Sequence, residues 1–169
     1  MAIKPIQIVP DPVLRKIAEP VEIITDETKQ MLDDMAQTMY DAPGIGLAGP
    51  QIGALKRLIV MDCSRDDEAD ELWQMINPEI THFSEETALL EEGCLSIPGH
   101  NAEVTRPAWV ELRFLDIKGE AQQIKAEGLL AACVQHEIDH LNGVLFIDHI
   151  SKLKRDIIWR KMLKESRQS

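Results

Sequence analysis

The sequence predicts an α+β fold, a single compact domain with short antiparallel strands packed around a central helix and further helices toward the N- and C-termini. Three observations carry that expectation. Short apolar runs are bounded by Gly, Pro, Asn or charged pairs, which is the mark of strands. Three longer segments place apolar residues at helical spacing instead. At 169 residues the chain is long enough for one domain with a real core and short for two. Residues 1–169 are therefore expected to form one unit, without internal repeat, low-complexity tract or linker.

Residues 1–20 carry Ile6, Ile8 and Val9 among Pro10, Pro12 and Pro20, so they read as an extended lead-in rather than a helix. Thr25 or Asp26 can cap a helix whose Met31, Leu32, Met35 and Met39 form a core-facing stripe, ended by Pro43-Gly44. Residues 44–53 are a glycine-rich loop. Residues 58–61 are a buried strand, and the acidic stretch 65–71 is a solvated loop. A second strand at 73–76 is stopped by Asn77-Pro78, and a third covers 80–83. Residues 89–99 are apolar with polar interruptions and close on a Pro98-Gly99 turn. Clean alternation at 110–116 predicts a half-buried strand, which Lys118-Gly119 turns into a partner near 121–125. Gly128 precedes the central helix, where Leu129, Cys133 and Glu137 fall at i, i+4 and i+8. Ser151 caps a last amphipathic helix, about 151–166, carrying Leu153, Ile157, Ile158 and Met162.

Composition narrows the class of function. A net charge of −11 argues against broad nucleic-acid binding, so no DNA partner is expected. No apolar run approaches the ~18 residues of a membrane span. Residues 1–12 lack the apolar core and cleavage site of a secretory signal, and they are not Arg- and Ser-rich like a transit peptide. Cys63, Cys94 and Cys133 are odd in number and widely spaced, which fits a reducing, cytoplasmic setting.

Within the central helix, residues 136–140 read His-Glu-Ile-Asp-His. At that spacing His136 and His140 lie one turn apart on one face, so both imidazoles can reach one metal ion. Glu137 stands beside the first, where it can accept a proton from metal-activated water. A catalytic site of this kind needs a third protein ligand and an open position. The metzincin pattern puts that ligand at Phe146, which cannot ligate. A thermolysin-like pattern leaves only Glu165, near the chain end. Cys94, after a strand in a polar-flanked turn, offers a soft thiolate suited to zinc or ferrous iron. Spacing alone keeps both Glu165 and Cys94 open. Cys133 reads equally well as a small core residue, and Gln51 as a loop residue satisfied by backbone. His82, His100 and His149 have no partners at ligand spacing and read as surface residues; Arg106 and Asp139 could pair behind the site.

Three stretches taken together resemble the peptide deformylase family, of the bacterial type I kind. They are Gly-Ile-Gly-Leu-Ala-Gly-Pro-Gln at 44–51, Glu-Gly-Cys-Leu-Ser at 92–96 and Gln-His-Glu-Ile-Asp-His at 135–140, in the family's order and spacing. Gly49, where the family usually has Ala, departs from the pattern in a way that would loosen the loop. Asn101 departs too, standing where some members carry an Arg that helps hold the peptide. The resemblance implies removal of the formyl group from the N-terminal formylmethionine of nascent polypeptides, with release of formate. It implies Cys94, His136 and His140 as metal ligands and Glu137 as general base, then acid. Gln51 and the Leu95 backbone N–H are implied as oxyanion donors. The pocket for the methionine side chain would be Ile45, Leu90, Leu95, Leu129 and Cys133, with Gly46 and Gly93 beside the peptide backbone. One sulfur and two imidazoles suit zinc, while the resemblance implies Fe2+ in the cell, with Zn2+, Ni2+ or Co2+ able to substitute. Near the C-terminus, Lys152, Lys154, Arg155, Arg160, Lys161, Lys164 and Arg167 face only Asp156 and Glu165. That basic helix is either a plain solvated face or a contact with the ribosome.

Overall fold

The computed structural model describes residues 2–168. In chain order it contains α1 (Asp26–Asp41), β1 (Gly46–Ala48), β2 (Leu58–Met61), β3 (Trp73–Phe83), β4 (Thr87–Cys94), β5 (Ile97–Pro107), β6 (Trp109–Leu115), β7 (Ala121–Glu127), α2 (Gly128–Leu141) and α3 (Lys152–Gln168). Five strands hydrogen-bond in the order β1-β2-β3-β6-β7, every neighbour antiparallel, and β4 and β5 form a separate hairpin.

The run Leu58-Ile59-Val60-Met61 explains the layering. Ile59 and Met61 pack with Val134 and Ile138 of α2, whereas Leu58 and Val60 pack with Leu32, Met35 and Met39 of α1. A strand apolar at every position is one covered on both faces, so β2 lies between two helices. Thr25 starts α1 as expected: its hydroxyl accepts the Thr28 N–H at 3.3 Å and Thr28 returns the bond at 3.2 Å, a closed capping box. On β6 the alternation holds, with Val110, Leu112 and Phe114 turned toward α2.

Several expectations need correction. The Asn77-Pro78 pair does not split the second strand; β3 runs through it as 11 residues, with a register shift between Ile76 and Glu79. Asn77 takes a φ of +52°, and its side chain exchanges two 2.8 Å bonds with the Val21 backbone. A bulge needs no ladder bond from the proline, so the strand survives. The glycine-rich stretch is not all loop, since it holds β1 and a 3-10 turn at Gly49–Ile52. The backbone packs closely around Gly49, where a Cβ would lie 2.6 Å from the carbonyl oxygens of Ala54 and Lys56. The β4–β5 hairpin closes at Leu95-Ser96 rather than at Pro98-Gly99, with Cys94 opposite Ile97. A short 3-10 turn at Pro12–Arg15 breaks the extended lead-in and buries Leu14. Along α3, Ile158 and Met162 are buried, but Leu153 and Ile157 are 72% and 43% exposed. Its apolar stripe is therefore narrower than the residue types suggest.

The third core holds the hairpin in place. Ile97 and Val104 of β5 pack with Val9, Phe146, Ile158 and Met162, so the lead-in and α3 both brace the hairpin. Arg15 ties the same region together: its guanidinium donates to Asp148 at 2.6 and 3.2 Å and to the Gly143 carbonyl at 3.1 Å. Burial pushes the Asp148 carboxyl up, but the Arg15 hydrogen bonds outweigh it and leave the group below its ordinary 3.8. A carboxyl whose folded pKa is depressed stabilises the fold above that ordinary value and loses the contribution as pH falls through the folded one. Asp148→Asn is expected to cost about 1 kcal/mol at pH 7, after discounting for partial exposure. The difference from the unmodified chain should shrink as pH drops below 4, which urea unfolding at pH 7 and pH 3 would measure.

Candidate metal centre

Helix α2 is buried along most of its length, which brings ionisable side chains into the core. His136 and His140 are 7% and 1% exposed, with their Nε2 atoms 3.2 Å apart. On β4, the period-two alternation turns Leu90, Glu92 and Cys94 inward together. The Cys94 Sγ thereby comes within 3.3 Å of His140 Nε2, and the three donor atoms lie within 4.8 Å of one another. Glu165, the other sequence candidate, sits on α3 against His100 at 3.4 Å and is not part of this cluster. Phe146, at the metzincin position, is buried and stacks on His136 with ring centroids 6.0 Å apart.

The groups behind the ligands orient them. His136 Nδ1 donates to Glu92 Oε1 at 3.0 Å, which turns the Nε2 lone pair toward Cys94 and His140. Arg106 holds Glu92 with two bonds, Nε at 2.6 Å and Nη2 at 3.0 Å, and reaches Asp139 with Nη1 at 2.9 Å. His149 closes the chain on Asp139 at 2.8 Å. Arg106 and Asp139 do pair, as their residue types suggested, but the carboxylate on the ligand is Glu92. It was missed because its contact depends on strand register. His149 and His100 are tied to carboxylates, whereas His82 stacks on Trp109 at the surface.

The cluster fits a divalent cation on its own chemistry. Burial and the neighbouring His136 drive the His140 pKa well below its ordinary value, so His140 is neutral and offers a lone pair. Burial opposes charge on His136, yet Glu137, Cys94 and Glu92 together raise its pKa well above the ordinary value. Surroundings anionic enough to favour a proton there also favour a metal ion. A thiolate and two imidazoles are the donor set of zinc-type sites.

Glu137 is 4% exposed, and burial pushes its carboxyl up to about 7. Its Oε1 is buried with no hydrogen-bond partner among the described residues. β1 comes so close that a Cβ on Gly46 would overlap Glu137 Oε2 and lie 2.8 Å from Cys133 Sγ. Glycine is required there for the backbone to approach. Gln51, 1% exposed, accepts the Ala48 N–H through Oε1 at 2.9 Å. Its Nε2 donates to Ser96 Oγ at 3.1 Å and points to Cys94 Sγ at 3.6 Å.

A cavity of about 670 Å³ opens onto this cluster. Ile45, Gly46, Gln51, Leu90, Gly93, Cys94, Leu95, Leu129, Cys133, His136 and Glu137 all line it, and His140 lies behind them. Asn101 lines it as well, with its Oδ1 laid over Gly93 where a Cβ would stand. Ile45 and Leu129 are 45% and 48% exposed at its walls.

The family model described as Polypeptide deformylase matches residues 3–156. The chain belongs to the peptide deformylase family. Its relatives are correspondingly close: the peptide deformylase of Rhizobium meliloti (strain 1021) is 54% identical over 167 residues, covering 99% of this chain and 96% of that protein. That of Mesorhizobium japonicum is 55% identical over 164 residues, covering 97% and 93%. Among solved structures, peptide deformylase from Ehrlichia chaffeensis in complex with actinonin superposes with a TM-score of 0.94 at 40% identity, covering 99% of both chains. The Legionella pneumophila peptide deformylase superposes at 0.89 with 46% identity, covering 99% and 97%. A peptide deformylase is a metallohydrolase acting on a linear amide, and the Cys94, His136 and His140 cluster is the metal site such an enzyme needs.

Removing the carboxylate behind a metal-bound imidazole typically weakens the metal about 10- to 100-fold. Glu92→Ala is expected to show that loss, read as metal retained against a competing chelator. Retention equal to that of the unmodified protein would break the link between Glu92 and the site.

Proposed function

We propose that this chain removes the formyl group from the N-terminal formylmethionine of nascent polypeptides, releasing formate and a free amine, with residues 1–169 acting as one catalytic domain. The observation that carries this reading is the Glu137 carboxyl. It is buried, unpartnered at Oε1 and set between an apolar cavity and the Cys94, His136 and His140 cluster. A carboxyl in that position serves proton transfer rather than packing.

Cys94, His136 and His140 would hold the metal, which when bound supplies Lewis acidity and lowers the pKa of water toward neutrality. Glu137 takes the proton from the attacking water and then delivers it to the departing amine nitrogen, base first and acid second. Charge that develops on the formyl oxygen is met by the Gln51 Nε2 amide and the Leu95 backbone N–H. Ser96 and Ala48 hold the Gln51 carboxamide at both ends, so its direction is set before substrate arrives. The methionine side chain packs against Ile45, Leu90, Leu95, Leu129 and Cys133, which accounts for two large apolar residues left exposed at the cavity walls. β1 ends the five-stranded sheet, β4 has only β5 as a partner, and both border the cavity. An extended peptide can therefore lie along Ile45 and Gly46 on one side and Gly93 on the other, as an added strand.

Family likeness supports Fe2+ as the cellular metal, with Zn2+, Ni2+ and Co2+ as substitutes that a Cys, His, His donor set also accepts. The cytoplasm is where the proposed substrate is made, and no helix among the described residues is long and apolar enough to cross a membrane. α3 supports a ribosome contact: its lysines, Arg160 and Arg167 are exposed while Ile158 and Met162 anchor it to the body.

Two variants separate chemistry from metal holding. Glu137→Gln is expected to retain metal and lose turnover of a formyl-Met peptide by about 10²- to 10⁴-fold. Cys94→Ser should change the metal content itself, and equal metal loss in both variants would contradict these roles. Gln51→Ala should lower kcat by about 100-fold, the usual consequence of losing one oxyanion donor. Deleting residues 152–169 is expected to abolish co-sedimentation with ribosomes; unchanged co-sedimentation would remove the ribosome from the proposal.

A further inference from the structure

Cys63, Cys94 and Cys133 are all free thiols, and only Cys94 belongs to the metal cluster. Cys63 follows β2 and Cys133 sits on α2, far apart in sequence, yet the fold brings them together. The Ile45 carbonyl is where they meet. It accepts the N–H of Asp62, the residue before Cys63, at 2.9 Å, and the Cys133 thiol at 3.7 Å. Both cysteines pack in one core cluster, Cys133 at 5% exposure and Cys63 half-buried. Their side chains interact directly and unequally. Contact between the two thiols lowers Cys63 from the ordinary thiol range, and the same contact with burial raises Cys133 well above it. Cys63 is the thiol nearer solvent and Cys133 lies buried behind it, so a reagent reaches Cys63 first, which is the arrangement of an attacking and a resolving cysteine.

We propose that Cys63 and Cys133 are an oxidisable dithiol, closed by a small-molecule disulfide of the glutathione class, and that closure shuts the adjoining substrate pocket. The Cys63 thiolate attacks one sulfur of the small disulfide, breaking its S–S bond and releasing one thiol. Cys133 then attacks the Cys63 sulfur of the mixed disulfide, its proton leaving with the second small thiol. The protein loses two hydrogens and gains one S–S bond, while the small disulfide is reduced to two thiols. In a reducing compartment such a bond is transient and signals oxidant rather than stapling the fold.

The pocket is sensitive to this change because Cys133 forms part of its wall. Its thiol fixes the carbonyl of Ile45, and its sulfur is the surface on which Gly46 rests beside Glu137. Drawing that sulfur toward Cys63 removes the donor to Ile45 and shifts the edge of β1 against the proton-transferring carboxyl.

The test exposes nickel-loaded protein to oxidised glutathione, traps remaining thiols by alkylation and maps cysteines by mass spectrometry. Turnover of a formyl-Met peptide is followed in parallel; that second readout rests on the deformylase reading, whereas the mass readout does not. The expected result is a peptide pair cross-linked through Cys63 and Cys133 in protein lighter by two hydrogens. Turnover should fall about 10- to 100-fold, the cost of a displaced substrate wall, and return with a dithiol reductant. Cys63→Ser and, should serine perturb the core, Cys63→Val are expected to form no cross-link and to stay active under oxidant. A lasting mixed disulfide at Cys63, oxidation confined to Cys94, or a cross-link that leaves turnover unchanged would each overturn the proposal.

Discussion

A buried helix that carries two imidazoles and a carboxylate is the constraint on which the rest of this structure depends. Polar groups taken out of water cost several kcal/mol unless each finds a partner. On α2 the requirement is met residue by residue. Gln135 donates to the carbonyls of Pro107 and Ala131, and His136 donates to Glu92. Glu92 is itself buried, so it needs Arg106, and Arg106 needs Asp139. Each step moves charge toward the surface, until His149 meets Asp139 where solvent reaches both. Only Glu137 Oε1 and His140 Nδ1 are left without a partner among the buried side-chain atoms described. Glu137 also lines the cavity. Its raised pKa is therefore a product of the same burial that the neighbouring groups are arranged to relieve.

The two sheets divide the work around that helix. The five-stranded sheet, covered by α1 on its far face, supplies a rigid floor against which α2 packs. The β4–β5 hairpin supplies Cys94 and Glu92, and it belongs to a different core, shared with the lead-in, Phe146 and α3. The metal ligands thus come from two separately packed bodies, with Cys94 on one and the histidines on the other. Phe146 bridges them by stacking on His136 while packing in the hairpin core. The residue whose type argued against one protease pattern turns out to be part of what places the first histidine.

What was legible in the sequence follows the range of the interactions. The His136 and His140 pair could be placed because helical spacing is local and its meaning does not depend on anything distant. β2, β6 and the Thr25 cap were legible for the same reason. Cys94 could not be chosen over Glu165 by spacing, and only its neighbours in the motif favoured it. The contact between Glu92 and Arg106 stayed hidden because it depends on β4–β5 register, in which Glu92 faces Ala102 and Arg106 faces Ala88. The hairpin turn was misplaced because Leu95-Ser96 carries neither Gly nor Pro, whereas Pro98-Gly99 does and lies inside β5. β3 was cut in two because proline is a general strand breaker and says nothing about a bulge that tolerates it. The exposed Leu153 and Ile157 show the converse: a helical stripe counts apolar residues but cannot say how much surface is there to cover them.

Cys133 illustrates why core and pocket readings need not compete. It packs with Val134 and Ile138 in the main core, and its sulfur also lines the cavity and supports Gly46. The same holds for Leu90 and Leu95, each partly packed and partly open to the cavity. A recognition surface made from core residues inherits the core's packing density, so it cannot be reshaped without disturbing what lies behind it. Gly46 marks how little room there is, since even one added carbon would reach both the thiol and the carboxylate. The shape of the cavity wall, the position of the Glu137 carboxyl and the packing of α2 on β1 are therefore set by one contact surface.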